Sequence, residues 1–323
     1  MSTTSEQLAA DRCIDGLDTL HSAPQVVQQV LSLTSDPEFE VAEVVACIES
    51  DPALATRLLR IVNSAHYGLR QPAASVRKAA LYLGRRSLRM VAVTFGFVSA
   101  LTQGRGGGVY SAYWKRSLLM AGVAAQLARR KHGLDPHEAY TAGLLADLGV
   151  LVFAQCGGVD YAAVHERHEH GPDLVEAERQ LFDCGHPALG ARLLARWELP
   201  EALADAVAPH HEEQSDGDLS LAVRAADLTA DALLAVDSPR ITATRRLLRD
   251  EFDLHTDGFI DLALSARSDL ENMADLFGVS DHVGFDCERV VAEARRRHLE
   301  LSMEAALDMD SFECAYADAT TPL

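Results

Sequence analysis

Residues 143–149 read GLLADLG, an apolar run interrupted by one carboxylate at Asp147. The run follows Asp135-Pro136, a pair typical of a helix start, because Asp caps free backbone N–H groups and Pro suits the first helical turn. The flanking Leu145 and Leu148 indicate that the segment is buried. A buried carboxylate needs a cation or hydrogen-bond donors, so Asp147 is predicted to have a partner elsewhere in the chain.

Further polar motifs occur in helix-forming surroundings on either side of this run. They are WKRS at 114–117, GHPALG at 185–190, PHH at 209–211 and AAD at 225–227. Their order resembles the HD superfamily, in which a His, an adjacent His-Asp pair, later histidines and a final Asp surround divalent metals. Imidazole and carboxylate suit such metals, and the metal would activate a water molecule toward phosphorus.

The N-terminal half narrows the resemblance to one family. It contains Ala23-Pro24, DPALA at 51–55, RLLR at 57–60, VNSA at 62–65 and LYLG at 81–84, and WELP follows at 197–200. Taken in order, these motifs resemble the HDOD family over about residues 15–235. The resemblance implies an all-α, HD-like helical fold, a role in bacterial signalling and a ligand set that is usually incomplete.

Two positions depart from the HD pattern. The first His falls at Arg116 and the His of the His-Asp pair falls at Ala146. Alanine offers no ligand atom, and arginine places a permanent positive charge where a cation would bind. We therefore predict that Arg116 neutralises Asp147 without a metal.

The remaining residues are predicted to line a vestigial site that binds an effector rather than a metal. Its members are Arg116, Asp147, His186, His210, His211 and Asp227. No metal and no other cofactor is expected. If a metal did bind, the ligands implied by the resemblance are Asp147, His186, His210 and Asp227.

Several of these residues also have a purely structural interpretation. His186 is predicted to cap the helix that follows it. His210 and His211 are predicted to end a helix, where adjacent side chains diverge by about 100°, so at most one needs to face the site. Asp227 is expected to pair with a neighbouring arginine such as Arg224.

Helix signals dominate the whole chain. Asp51-Pro52 predicts a helix start, as Asp135-Pro136 does, and Gly84 is predicted to end a short helix. Helices are also predicted through residues 142–151 and over residues 201–211, and Trp114 and Trp197 are expected to be core anchors.

We predict an all-α protein with an N-terminal segment (1–14), an HDOD domain (15–235) and a C-terminal helical extension with a frayed tail (236–323). The glycine-rich loop near residues 103–108 separates an N-terminal lobe, about 15–103, from an HD-like lobe, about 109–235. The last long helix, Glu288 to Met309, either packs on the domain or pairs with a partner protein or a second copy.

Composition limits the environment and the partners. The 323 residues are 48% hydrophobic and carry a formal net charge of −19, which argues against general nucleic-acid binding. No run approaches the roughly 20 apolar residues that span a bilayer, and the first ten residues lack an apolar signal core. We expect a cytoplasmic protein without membrane association. Six cysteines without a CxxC pair predict buried thiols in a reducing compartment.

Three functions are compatible with these residues. The leading hypothesis is a pseudoenzyme that acts in signal transduction or as a scaffold, through protein partners in trans or a small-molecule effector. One alternative is a divergent metal-dependent nucleotide phosphohydrolase or phosphodiesterase. The other is a nucleotide sensor without hydrolysis, in which Arg116 holds a phosphate.

Overall fold

The computed structural model describes residues 3–296, apart from 18–24, 35–37, 64–68, 70, 103–107, 157–158, 169–170, 198, 215, 236–239, 275–284 and 287. Within these residues the regular elements are α-helices and no strand occurs, which confirms the all-α prediction. None of the described helices is both long enough and apolar enough to cross a membrane.

The described helices before the glycine-rich loop belong to the N-terminal part of the chain. They are α1 (Thr3–Asp15), α2 (Gln25–Leu33), α3 (Val41–Glu49), α4 (Pro52–Val62) and α5 (Val76–Thr102). Helix α5 packs against α2, α3 and α4. Helix α1 instead packs on the HD-like half of the chain, where Asp11 accepts two hydrogen bonds from Arg192 at 2.8 and 2.9 Å.

Sequence signals mark the ends of these helices as predicted. Asp51 Oδ1 accepts the Leu54 N–H at 3.1 Å and so caps the start of α4. The helix ends before Asn63, whose amide bonds both the N–H and the C=O of Ala73, at 2.6 and 3.0 Å. Gly84 has φ 72° and ψ 173°, so α5 consists of two helical segments joined at a kink.

Ten further helices are described after the loop. They are α6 (Gly108–Ala128), α7 (Pro136–Leu145), α8 (Leu148–Phe153), α9 (Tyr161–Arg167), α10 (Pro172–Phe182), α11 (His186–Arg196), α12 (Glu201–Val207), α13 (Asp218–Leu234), α14 (Ile241–Phe252) and α15 (Thr256–Ala274). Helix α6 is central and packs against α7, α13 and α15. Trp114 and Trp197 are buried, as expected of core anchors.

Two helices are shorter than the sequence predicts. The helix expected to include residues 142–151 breaks at Ala146 and Asp147, between α7 and α8. The helix expected over residues 201–211 ends at Val207. Close packing accompanies the first break, because a Cβ on Gly143 would lie 2.7 Å from the Met120 carbonyl oxygen. Both helix ends leave polar residues in turns rather than on helices, and these residues belong to the candidate site.

The described part of the last predicted helix packs on the chain itself. Residues 288–296 are helical, Val290 and Ala294 are buried, and Arg245 donates to the Ala294 carbonyl at 3.2 Å. Residues 297–309 lie outside the described residues, so pairing with a second chain stays a prediction. The division into domains also stays a prediction.

The described cysteines are free thiols. Cys47 and Cys184 are buried, whereas Cys13 and Cys156 are only partly buried. Cys287 and Cys314 lie outside the described residues. The expectation of buried thiols therefore holds for two of the four cysteines that the structure describes.

Candidate functional site

The structure brings all six predicted residues into one buried cluster. Arg116 projects from α6, Asp147 lies at the junction of α7 and α8, and His186 is the first residue of α11. The other three come from the turn after α12 and from α13: they are His210, His211 and Asp227. Every member except the part-exposed His211 is buried.

Arg116 is the centre of the cluster. It is 1% exposed, and its Nε donates to Asp147 Oδ2 at 2.9 Å, which confirms the predicted pairing. Its two terminal nitrogens donate to Asp227 and Asp231. A buried guanidinium is tolerated only when its donors are satisfied, and three carboxylates satisfy it here. Their charges outweigh burial and raise the pKa of Arg116 above its usual value.

Asp231 and Arg240 extend the cluster beyond the predicted set. Asp231 lies one turn after Asp227 on α13, and its second oxygen accepts from Arg240 Nη1 at 2.6 Å. In the sequence, the indication of Asp231 was that it is a second carboxylate, four residues after Asp227 on an Ala-rich helix. The expected pairing of Asp227 with Arg224 is wrong, because Asp227 faces the core and takes its guanidinium from Arg116.

His186 has a different role from the predicted helix cap. Gly185 occupies the N-cap position, and the His186 ring turns inward. Its Nδ1 lies 2.7 Å from Glu178 Oε2, which also accepts the His186 backbone N–H at 2.7 Å. Burial opposes the charged ring, but the adjacent Glu178 carboxylate raises the pKa of His186 to about 9.

Glu178 is a site residue that the sequence analysis missed. It is fully buried on α10, and its other oxygen accepts the Tyr161 hydroxyl at 2.5 Å. The signal was present, because Glu178 follows Leu174 and Val175 at helical spacing on the apolar face of α10. Burial, followed by the charge of Glu178, raises the pKa of Tyr161 well above its usual value.

His210 and His211 both face the site, although only one of two adjacent helical residues would need to. They lie in turns after Val207 rather than on a continuing helix, and the Glu212 N–H bonds to the Pro209 carbonyl at 2.8 Å. His210 Nδ1 lies 2.6 Å from the Val207 carbonyl oxygen. His211 Nδ1 lies 2.9 Å from Asp227 Oδ2. Burial lowers the pKa of His211 well below its usual value.

The Nε2 atoms of the three imidazoles point toward one another and toward Asp147. His186 Nε2 lies 3.1 Å from His211 Nε2 and 3.5 Å from Asp147 Oδ1. His210 Nε2 lies 3.3 Å from the same oxygen. Within the part of the chain that the structure describes, neither His210 Nε2 nor Asp147 Oδ1 has a hydrogen-bond partner.

These four side chains fit the ligand set of one divalent cation. One ligand atom from each lies within 4.8 Å of the others. The set differs from the one implied by the resemblance, since His211 takes the place of Asp227, which is engaged by Arg116 and by His211 Nδ1. Burial alone would raise the pKa of Asp147, but the charge of Arg116 outweighs it and holds that pKa well below its usual value.

Comparison with known proteins settles the family. The sequence profile of the HDOD domain matches residues 20–213, which is more than half of the chain. The chain belongs to the HDOD family. This confirms the resemblance inferred from the motifs, and the HDOD match contains Arg116, Asp147 and the three histidines of the cluster.

Similar proteins carry the same helical fold. An HDOD domain protein of unknown function from Geobacter sulfurreducens is 27% identical, with a TM-score of 0.57 over 91% of this chain and 95% of that one. A Shewanella amazonensis SB2B protein, provisionally named a phosphohydrolase, has a TM-score of 0.59 over 90% and 94% of the two chains. At 20% identity it shows the fold alone.

A similar uncharacterised protein also occurs in Treponema pallidum (strain Nichols). It is 26% identical over 216 residues, which cover 65% of this HDOD chain but only 41% of the Treponema protein. The chain therefore spans less than half the length of this curated relative.

Proposed function

We propose that this HDOD protein acts in signal transduction. Its HD-like site binds a ligand but does not hydrolyse phosphate esters. One observation carries the proposal: Arg116 is buried and bonded to Asp147, Asp227 and Asp231. Two of these carboxylates, Asp147 and Asp227, stand where the HD pattern supplies metal ligands. An arginine stays charged at every working pH, so it occupies this position permanently.

The remaining ligand atoms also favour binding over catalysis. Catalytic zinc sites have three protein ligands and an open position for water, whereas structural sites have four protein ligands. Asp147 and the three histidines supply four. Asp147, His186 and His210 are 3%, 1% and 0% exposed, so a phosphate ester would have to reach atoms that the protein covers.

A path from the site to the surface supports a signalling role. His186 begins α11, and the preceding Gly185 N–H donates to Glu6 of α1 at 3.3 Å. Farther along α11, Arg192 Nε donates a hydrogen bond to Asp11 of α1. We propose that a change at His186 reaches α1 through these contacts and that the exposed side of α1, which includes Leu8, binds a protein partner.

The rival function is a divergent metal-dependent phosphohydrolase, and the four converging ligand atoms are the observation in its favour. The test is turnover of aryl phosphate mono- and diesters, nucleotides and cyclic dinucleotides with Mn²⁺, Mg²⁺, Co²⁺ or Zn²⁺. We expect no turnover above that of the His186→Ala variant. Metal-dependent turnover that this variant loses would overturn the non-catalytic proposal.

The nucleotide-sensor alternative needs Arg116 to bind a phosphate. All three donor nitrogens of Arg116 are already bonded to carboxylates, which makes this role unfavourable. Calorimetry with the same nucleotides tests it. We expect no binding, and binding that Arg116→Lys abolishes would favour the sensor.

A further inference from the structure

We propose that Asp147, His186, His210 and His211 bind one divalent transition-metal ion, while Arg116 permanently fills the place of a second cation. The inference rests on the proposed function, since it names the ligand of that same binding site. Arg116 and Ala146 supply no ligand, but the other four residues still provide four ligand atoms within 4.8 Å of one another.

Hydrogen bonds fix the imidazoles in the form that binds a metal. The Nδ1 atoms of His186 and His211 face carboxylates, and that of His210 faces a carbonyl oxygen. These partners accept hydrogen bonds, so each Nδ1 carries a ring proton, and a ring that holds no second proton presents a lone pair on Nε2. Metal-binding histidines in proteins are held by such partners.

The lone pairs require something positive between them. His186 Nε2 and His211 Nε2 are 3.1 Å apart, so without a metal one proton must lie between them, and a metal ion would take its place. His210 Nε2 and Asp147 Oδ1, 3.3 Å apart, are both buried and without a hydrogen-bond partner among the described residues. Buried polar atoms are rarely left in this state unless an ion or water completes them.

The separations match a tetrahedral ion. Bonds of 2.0–2.1 Å from zinc to nitrogen and oxygen place the ligand atoms of a tetrahedron about 3.3 Å apart. Three of the separations in the cluster are 3.1, 3.3 and 3.5 Å, and all of them are within 4.8 Å. The residues therefore need little movement to close around one ion.

The formal charges of the cluster also call for one divalent cation. Two guanidinium groups, Arg116 and Arg240, face four carboxylates: Asp147, Glu178, Asp227 and Asp231. In the metal-binding form all three imidazoles are neutral, so the second proton of His186 is released, and one divalent cation balances the net formal charge of −2. Imidazole ligands favour zinc, cobalt, nickel or iron over magnesium and calcium, which prefer oxygen.

The experiment uses the full chain, stripped with a chelator and titrated with Co²⁺ alone. Metal content per chain and the visible absorption of four-coordinate Co²⁺ are measured on folded protein. We expect one cobalt per chain with a tetrahedral spectrum that Zn²⁺ displaces. Failure of the folded protein to bind cobalt would overturn the ion site, and two ions per chain would overturn the role of Arg116.

Variants identify the ligands. His210→Ala removes a ligand, and we expect cobalt affinity to fall about 100-fold or more. Glu178→Gln tests a positioning residue, and the expected loss is about 10–100-fold, because such partners orient the ligand ring. His137→Gln is the control, a part-buried histidine at the start of α7 whose charged neighbours are Asp135 and Arg129 rather than the cluster, and it should leave binding unchanged. Unchanged affinity in His210→Ala would overturn the assignment.

The loaded protein then separates this inference from the proposed function. Binding of one cobalt without phosphate-ester turnover supports both. Binding with turnover supports the ion site and overturns the non-catalytic function. An absence of both binding and turnover overturns the ion site alone, and turnover without binding overturns both.

Discussion

Replacement of Arg116 by methionine tests whether its guanidinium is the counter-charge of the buried carboxylates. Methionine keeps a long, adaptable apolar side chain, so the loss of charge is the main change. Asp231 would retain Arg240 at 2.6 Å, whereas Asp147 and Asp227 would lose the guanidinium that they share. Breaking a buried ion pair by removing one partner costs roughly 3–5 kcal/mol.

Protonation sets an upper limit to the cost per carboxylate and gives it a pH dependence. Asp227 keeps its contact with His211 Nδ1 at 2.9 Å, so the limit is worked out for Asp147. At about pH 7.5, protonating a carboxyl of ordinary pKa near 3.8 takes ~5 kcal/mol, and at about pH 5.5 it takes ~2 kcal/mol. In the wild type, Arg116 depresses the pKa of Asp147, so its stabilisation is present above the unfolded pKa and is lost only in acid. The variant should therefore lose ~3–5 kcal/mol at about pH 7.5 and ~2 kcal/mol or less at about pH 5.5.

The assay is urea unfolding followed by far-ultraviolet circular dichroism, at both pH values and with a chelator present to exclude metal effects. Arg192→Met is the matched control. Arg192 also binds a carboxylate through two nitrogens, but its side chain is 43% exposed. Exposed pairs contribute about 1 kcal/mol or less. A loss below ~1 kcal/mol for Arg116→Met, or an equal loss at both pH values, would refute the counter-charge role.

Three further substitutions test other parts of the fold by the same unfolding assay. Burial raises the pKa of Asp269 to about 6. Its charged form therefore destabilises the protein as pH rises through about 4 to 6. Asp269→Asn should raise the free energy of unfolding by up to ~3 kcal/mol at about pH 7.5 and leave it unchanged near pH 4. The opposite sign would contradict this. Gly149→Ala would overlap the His186 carbonyl oxygen and should cost ~1–3 kcal/mol, whereas a neutral result would mean that α8 and α11 separate freely. Asn63→Ala removes both bonds to Ala73 and should cost ~1–3 kcal/mol, so an unchanged midpoint would show that this link is dispensable.

Local chemistry in the sequence predicted the helices and most of the cluster. Asp51 and Asp135 cap the helices that they were expected to begin, and Gly84 kinks the segment that it was expected to end. Such signals act within one helical turn, which is why they can be read without a tertiary structure. The carboxylate inside GLLADLG correctly indicated a buried charge that needs a partner.

Helix ends inside the core could not be predicted in the same way. Asp147 lies at a helix break where α8 approaches α11 so closely that a Cβ on Gly149 would overlap the His186 carbonyl oxygen, and local propensity does not encode that approach. Glu178 and Asp231 were missed because their partners come from other elements. A glutamate on an apolar helix face indicates burial, but it does not say what it will meet.

The sequence by itself determined the family, the all-helical fold and the replacement of one histidine by Arg116, because these depend on residue type and on spacing along the chain. Only the tertiary structure decided that Arg116 would be shared among carboxylates 31, 111 and 115 residues away. It also decided that the Nε2 atoms of three imidazoles would meet beside Asp147. Distances of a few ångströms between such remote residues are set by how whole helices pack, and no local pattern specifies them.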